Sequence, residues 1–227
     1  MKLVVLISGT GSNLLKVLEA CASQFIAGEV VAVISNKPSA KGLDFAQQFN
    51  VPAHVLEQSD FQSREAHDQA IADQIASYQP DYIVLAGYMR ILTEQFIARF
   101  DNQIINIHPS LLPLYKGLNT HQRAIDDGQK QAGCTVHLVT PELDSGQILA
   151  QAIVPVLFDD QAESLAKRVQ KAEHLLYPQV LRWLGEGELS IRPQLTFQQK
   201  KLPASGLQLT PEALEVAQAK INSTRTH

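Results

Sequence analysis

An α/β fold built on a doubly wound, mostly parallel sheet is what this 227-residue sequence predicts. Short apolar runs recur along its first half with no polar alternation, as in parallel strands buried on both faces. Stretches with apolar residues at spacings of three and four separate those runs. Strand–helix alternation of this kind builds right-handed βαβ units. Composition permits the fold, since 45% of the residues are hydrophobic and 19% charged, close to the globular average and far from disorder.

The elements follow in order. Leu3–Ile7 is an unbroken apolar strand ending in Ser8-Gly9. Asn13 to Ala22 reads as a helix with Leu14, Val17, Leu18 and Cys21 on one side. Val30–Ile34 is a second strand, stopped by Ser35-Asn36-Lys37-Pro38. Phe45 lies in a short helix before a strand at Val51–Val55. Phe61 to Tyr78 is a longer helix with Ala70, Ile71 and Ile75 inward. Tyr82–Ala86 is a strand, Thr93 caps a helix to Phe100, and Ile104–Ile107 is a strand again. A helix over Leu118–Asp127 follows, and then the pattern changes. Cys134–Thr140 and Ile148–Pro155 flank the loop Pro141-Glu-Leu-Asp-Ser-Gly146 as antiparallel strands. Ala162 to Trp183 is the longest helix, with Leu165, Val169, Ala172, Leu176 and Val180 on its apolar stripe. Leu189, Ile191, Leu195 and Phe197 suit a small hairpin. Thr210 and Pro211 then open a last helix to about Ile221. The final residues are expected to be mobile.

Charge and composition exclude several functions. Aromatics are 6%, with Trp183 alone among tryptophans, and the net charge is −4, so neither a base-stacking surface nor a duplex-binding basic face is expected. No apolar run is long enough to span a bilayer, and the five-residue run after Met1-Lys2 is too short for a signal-peptide core. Cys21 and Cys134 are too few for a disulfide framework and read as buried, reduced thiols of a cytoplasmic protein. The histidines have no metal-ligand spacing, so no metal is expected.

Two constellations carry chemistry. After the first strand comes Ser8-Gly-Thr-Gly-Ser-Asn13, leading into a helix. Glycines permit the tight turn, and the helix start offers N–H groups to an anion. Leu14 stands where a dinucleotide loop needs a third glycine, no acidic residue follows the second strand, and the phosphate-loop lysine is absent. The loop therefore suits one phosphate monoester. A plain turn with Ser12 as helix cap explains it equally well.

The second constellation is Asn106-Ile-His108-Pro, at the carboxyl end of a central strand, where doubly wound sheets bind ligands. Alternation puts Asn106 and His108 on one side, and Pro109 keeps His108 extended. A neutral amide donor and an imidazolium suit a reaction that builds negative charge on oxygen. Asp144, in the polar loop before Ser145-Gly146, can pair with His108 if that loop folds over the strand end. Ser110 lacks the glycine pattern of a nucleophile elbow.

Four stretches, Ile7-Ser-Gly-Thr-Gly-Ser-Asn13, Leu85-Ala-Gly-Tyr-Met-Arg-Ile-Leu92, Ile105-Asn-Ile-His-Pro-Ser-Leu-Leu-Pro113 and Glu142-Leu-Asp-Ser-Gly146, fall in the order and spacing of the folate-dependent formyltransferases. The resemblance covers roughly residues 1–190. The Gly-Thr-Gly-Ser-Asn loop and Gln170-Lys-Ala-Glu-His174 resemble the members that formylate glycinamide ribonucleotide in purine synthesis.

The resemblance implies a Rossmann-like formyltransferase domain over 1–190 and a carboxyl-terminal extension over 191–227. It implies 10-formyltetrahydrofolate as co-substrate, and small molecules as the partners of a monomer or homodimer. Asn106, His108 and Asp144 would be catalytic. Gly11, Ser12 and Asn13 would hold the ribonucleotide phosphate, with Gln170 and Glu173 toward its ribose and amine. Arg64, Met89, Arg90, Ile91 and Leu92, with the loop Thr140, Pro141, Glu142 and Leu143, would receive the folate. A cis peptide before Pro113 is also implied.

This sequence departs from the family at Lys116-Gly-Leu-Asn-Thr-His121, where Asn119 replaces a histidine, and at Pro141. A formyltetrahydrofolate hydrolase is one alternative. It would carry an extra amino-terminal domain, whereas this sequence opens on its first strand. A transfer-RNA formyltransferase would need a larger, basic carboxyl-terminal part. A non-catalytic phosphate-binding protein would keep Gly11–Asn13 without needing Asn106, His108 and Asp144.

Overall fold

A computed structural model describes residues 1–224. The chain forms two compact units. The first comprises Met1–Asn106 with Val139–Pro141, the second Ile107–Leu138 with the chain from Glu142 onward.

In the first unit, β1 (Lys2–Ile7), α1 (Ser12–Ala22), β2 (Glu29–Ser35), α2 (Gly42–Gln48) and β3 (Ala53–Val55) alternate as expected. A 3₁₀ turn at Gln58–Asp60 leads to α3 (Arg64–Tyr78), β4 (Tyr82–Leu85), α4 (Glu94–Arg99) and β5 (Ile104–His108). The strands lie in the order β5-β4-β1-β2-β3, and every neighbouring pair is parallel. Leu3 to Ile7 are all fully buried, as an unbroken apolar central strand requires. Val4, Leu6, Ile34 and Ile83 pack with Ile71 and Ile75 of α3 and Phe96 of α4.

In this unit two boundaries moved by more than one residue. Helix α3 starts at Arg64, not Phe61, because the Ser63 hydroxyl accepts from the Ala66 N–H at 3.1 Å and caps it there. Strand β3 starts at Ala53, not Val51.

Strand β5 passes from the first unit into the second, which continues with α5 (Thr120–Asp126), β6 (Gln131–Leu138) and β7 (Ile148–Pro155). Then come α6 (Ala162–Gly185), β8 (Leu189–Ser190), β9 (Thr196–Phe197), β10 (Lys200–Lys201), β11 (Leu207–Leu209) and α7 (Pro211–Thr224). Strands β6 and β7 pair antiparallel, as expected, and α6 packs on them. Helix α5 begins only at Thr120, since Asn119 has a left-handed φ of 57° and ends the preceding loop.

Strands β8, β9 and β10 make a small antiparallel sheet closed by an edge contact of Trp183 with Phe197. Strand β11, absent from the sequence expectation, adds parallel to β7, and α7 packs on α6 with Thr210 as its cap. Cys134 is buried, but Cys21 is only half-buried, so the expectation of two buried thiols holds for one. The mobility expected of the last few residues concerns positions outside those described. Among the described residues no helix is long and apolar enough to cross a membrane.

Candidate active site

In the first unit, the turn after β1 depends on two glycines. Gly11 has φ 74°, and a Cβ there would come within 2.5 Å of the Gly42 Cα. Gly42 in turn donates to the Gly9 carbonyl at 3.2 Å. Gly11 itself occupies the cap position of α1, so Ser12 is the helix's first residue and not its cap. The plain reading of Ser12 is thereby corrected. Asn13 follows, buried, in the first turn.

The segment after β4 is irregular. Met89 and Ile91 are 64% and 59% exposed, while Tyr88 and Leu92 are buried. Arg64, at the start of α3, donates to the Ile91 carbonyl at 2.6 Å, so the structure brings two of the expected folate residues together. Ser8 Oγ accepts from the Met89 N–H at 2.8 Å. Arg90 turns onto Gln58 and Asp68. The Tyr88 hydroxyl and Arg90 Nε are buried without a hydrogen-bond partner. Thr140 and Pro141 belong to this unit, Glu142 and Leu143 to the second.

In the second unit, His108 and Asp144 meet. Asp144 has φ 48°, a conformation its short polar side chain tolerates. Its Oδ2 lies 3.4 Å from His108 Nδ1 and accepts from the Gly117 N–H at 2.9 Å. His108 Nε2 lies 2.9 Å from the Tyr115 carbonyl oxygen. Both ring nitrogens thus face oxygen atoms. Asn106 stands two residues earlier on β5, opposite Leu85 of β4.

His137, which the spacing argument passed over, stands on the other side of Asp144, its Nε2 3.8 Å from Oδ1. Burial lowers its pKa from the ordinary histidine value, against the pull of the Leu138 carbonyl and Asp144. Its Nδ1 proton goes to that carbonyl at 2.9 Å. His121 is also lowered, by burial and by the charge of His108.

A buried polar chain holds the loop after His108. Thr135 Oγ1 donates to the Ser110 carbonyl at 2.6 Å and accepts from the Leu112 N–H at 3.1 Å. Gln151 donates to the Leu112 carbonyl at 2.8 Å. The Leu112–Pro113 peptide is cis, as the resemblance implied. Neither Thr135 nor Gln151 was anticipated, because their partners are backbone groups far off in sequence. On α6, Glu173 is buried and Gln170 exposed. Burial and the Glu173 carboxylate push the Cys134 thiol well up. Lys116 reaches Glu142 at 3.1 Å and also Ser145, and the Ser145 hydroxyl, then Lys116, lower the Glu142 pKa. Among the described residues no cluster of His, Cys, Asp and Glu could hold a metal ion.

Residues 1–181 match the formyl transferase family. This chain belongs to that family. The formyl transferase is 44% identical over 207 residues to phosphoribosylglycinamide formyltransferase of Escherichia coli K12, covering 91% of this chain and 98% of the relative. Identity to the Haemophilus influenzae enzyme of the same name is 46%, over 90% and 97% of the two chains. Among solved structures, the phosphoribosylglycinamide formyltransferase of Coxiella burnetii superposes with a TM-score of 0.87 at 41% identity, covering 92% of the formyl transferase and 99% of that chain. That of Brucella melitensis gives 0.78 at 51% identity, over 83% and 97%.

Proposed function

We propose that this formyl transferase moves the formyl group of 10-formyltetrahydrofolate to the amine of N1-(5-phospho-D-ribosyl)glycinamide, a step of purine synthesis. The observation that carries the reading is the His108–Asp144 pair at the end of β5, in a chain alike over almost its whole length to enzymes named for that reaction. The setting we propose is the cytoplasm, with the chain a monomer or homodimer. Formyl transfer is assigned to residues 1–190.

Formyl transfer passes through a tetrahedral centre that carries negative charge on oxygen, and the site is equipped for that charge. His108 donates to the oxyanion from Nε2, exchanging the Tyr115 carbonyl for a fully charged acceptor, which makes the stronger bond. Asn106 adds a neutral donor. Asp144 orients the ring through Nδ1. His137, neutral and donating to Leu138, borders Asp144 without adding a second charge. Gly11, Ser12 and Asn13 hold the phosphate at the start of α1. Gln170 and Glu173 serve the ribose and amine end. Arg64, Met89, Arg90, Ile91 and Leu92, with Thr140, Pro141, Glu142 and Leu143, receive the folate.

The test is tetrahydrofolate release, followed by difference absorbance, with and without the ribonucleotide. Release only with ribonucleotide is the expected result. Release without it would make the protein a hydrolase. No release in either mixture, with the ribonucleotide still bound, would leave a phosphate-binding protein.

A further inference from the structure

We infer that Asp68, which takes no part in the reacting pair, is the positioning residue that sets the conformation of the folate-receiving segment Met89–Leu92. This rests on the reading of that segment as part of the folate site. Asp68 lies on the inner face of α3 and is 1% exposed. Its Oδ2 accepts from the Thr93 N–H at 2.8 Å. Its Oδ1 lies 3.3 Å from Arg90 Nη2 and 3.6 Å from Nδ1 of the fully buried His67. His67 Nε2 lies 2.8 Å from the Leu56 carbonyl oxygen. The other arm of Arg90 reaches Gln58 on the 3₁₀ turn. Thr93, held at its N–H by Asp68, uses its own hydroxyl to accept from the Phe96 N–H at 3.3 Å and so caps α4.

Arg64 and Asp68 are four residues apart, on one face of α3. Arg64 takes the carbonyl of Ile91, and Asp68 takes the side chain of Arg90 and the N–H of Thr93. One helix therefore holds two backbone groups and one side chain of a segment that has no regular structure of its own. Around these contacts, Met89 and Ile91 stand out into solvent. A buried carboxylate is a costly way to add stability, since apolar packing generally does as well or better. What it does that apolar packing cannot is fix donors at defined positions. Asp68 spends one oxygen on Arg90, between Met89 and Ile91, and the other on Thr93, just after the segment.

The test is Asp68→Asn in the full chain. The amide keeps the shape but only one acceptor oxygen, and its NH₂ group must face an N–H donor. The expected result is a rise in the KM for 10-formyltetrahydrofolate of about tenfold, the scale of one charge-assisted hydrogen bond. The ribonucleotide KM and the kcat at saturating folate should stay within about twofold. An unchanged folate KM in the folded variant, or a uniform loss in all three parameters, would overturn the inference.

Ile91→Asp separates this from the underlying reading. If it raises the folate KM and Asp68→Asn does not, only the role of Asp68 falls. If neither changes it, the segment is not the folate site and both fall. Should Asp68→Asn fail to fold, Gln58→Ala at the exposed end of the network frees one arm of Arg90. A rise of about threefold in the folate KM is expected, and no change would overturn the inference.

Discussion

His108 is held at both nitrogens, by the Tyr115 carbonyl at 2.9 Å and by Asp144 at 3.4 Å. Removing the ring should therefore damage charge stabilisation more than ground-state binding. His108→Ala and Asp144→Asn are each expected to lower kcat by about 10²–10³ while ligand dissociation constants move little. Single-turnover rates beside equilibrium titration of each ligand would show it, and near wild-type turnover in either variant would refute the assignment. Asn13→Ala should do the reverse, raising the ribonucleotide KM with kcat preserved, which steady-state kinetics at saturating folate would read. At this scale the meeting of His108 with Asp144 was legible, since the one ends a strand and the other lies in a marked loop. His137 and Thr135 were not legible. Their partners, Asp144 and the Ser110 carbonyl, come close only once β6 lies beside the loop after His108.

At the scale of elements, caps decide where helices begin. The Ser63 hydroxyl holds the Ala66 N–H and sets the start of α3. Ser63→Ala should cost about 1 kcal/mol and lower Tm by about 2–4 °C, which calorimetry would measure. Because Arg64 and Asp68 lie in the first turns of that helix, its correct start also aligns the grip on residues 90 to 93. Apolar periodicity located α3 but placed its start at Phe61, because an apolar residue ahead of a cap resembles the first turn. Strand β11 was missed for another reason. Three residues carry almost no period, and their pairing with Ala150 to Ala152 is remote in sequence.

For the molecule as a whole, the buried His137 and the half-buried His121 make stability fall on the acid side of neutrality. His137 and His121 both have pKa values below the ordinary 6.5 in the folded chain, chiefly through burial. The unfolded chain therefore takes up their protons first. Their contribution to stability is complete above the ordinary histidine pKa and is lost as pH falls below it toward the folded values. The urea midpoint should drop between about pH 7.5 and about pH 5.5, and His137→Gln should flatten that drop. A slope unchanged in the variant would show that His137 does not carry it.

Local pattern carried the α/β class, the alternation of strand and helix, the antiparallel turn after Pro141, and the motifs that mark the family. Each rests on local periodicity or on residues close together along the chain. Only the tertiary structure decided that Gly11 must leave room for Gly42, that His137 borders Asp144, and that α3 grips the segment after β4 through Arg64 and Asp68. These depend on where distant backbone groups come to lie. A buried polar side chain shows its purpose only when its hydrogen-bond partners are in place.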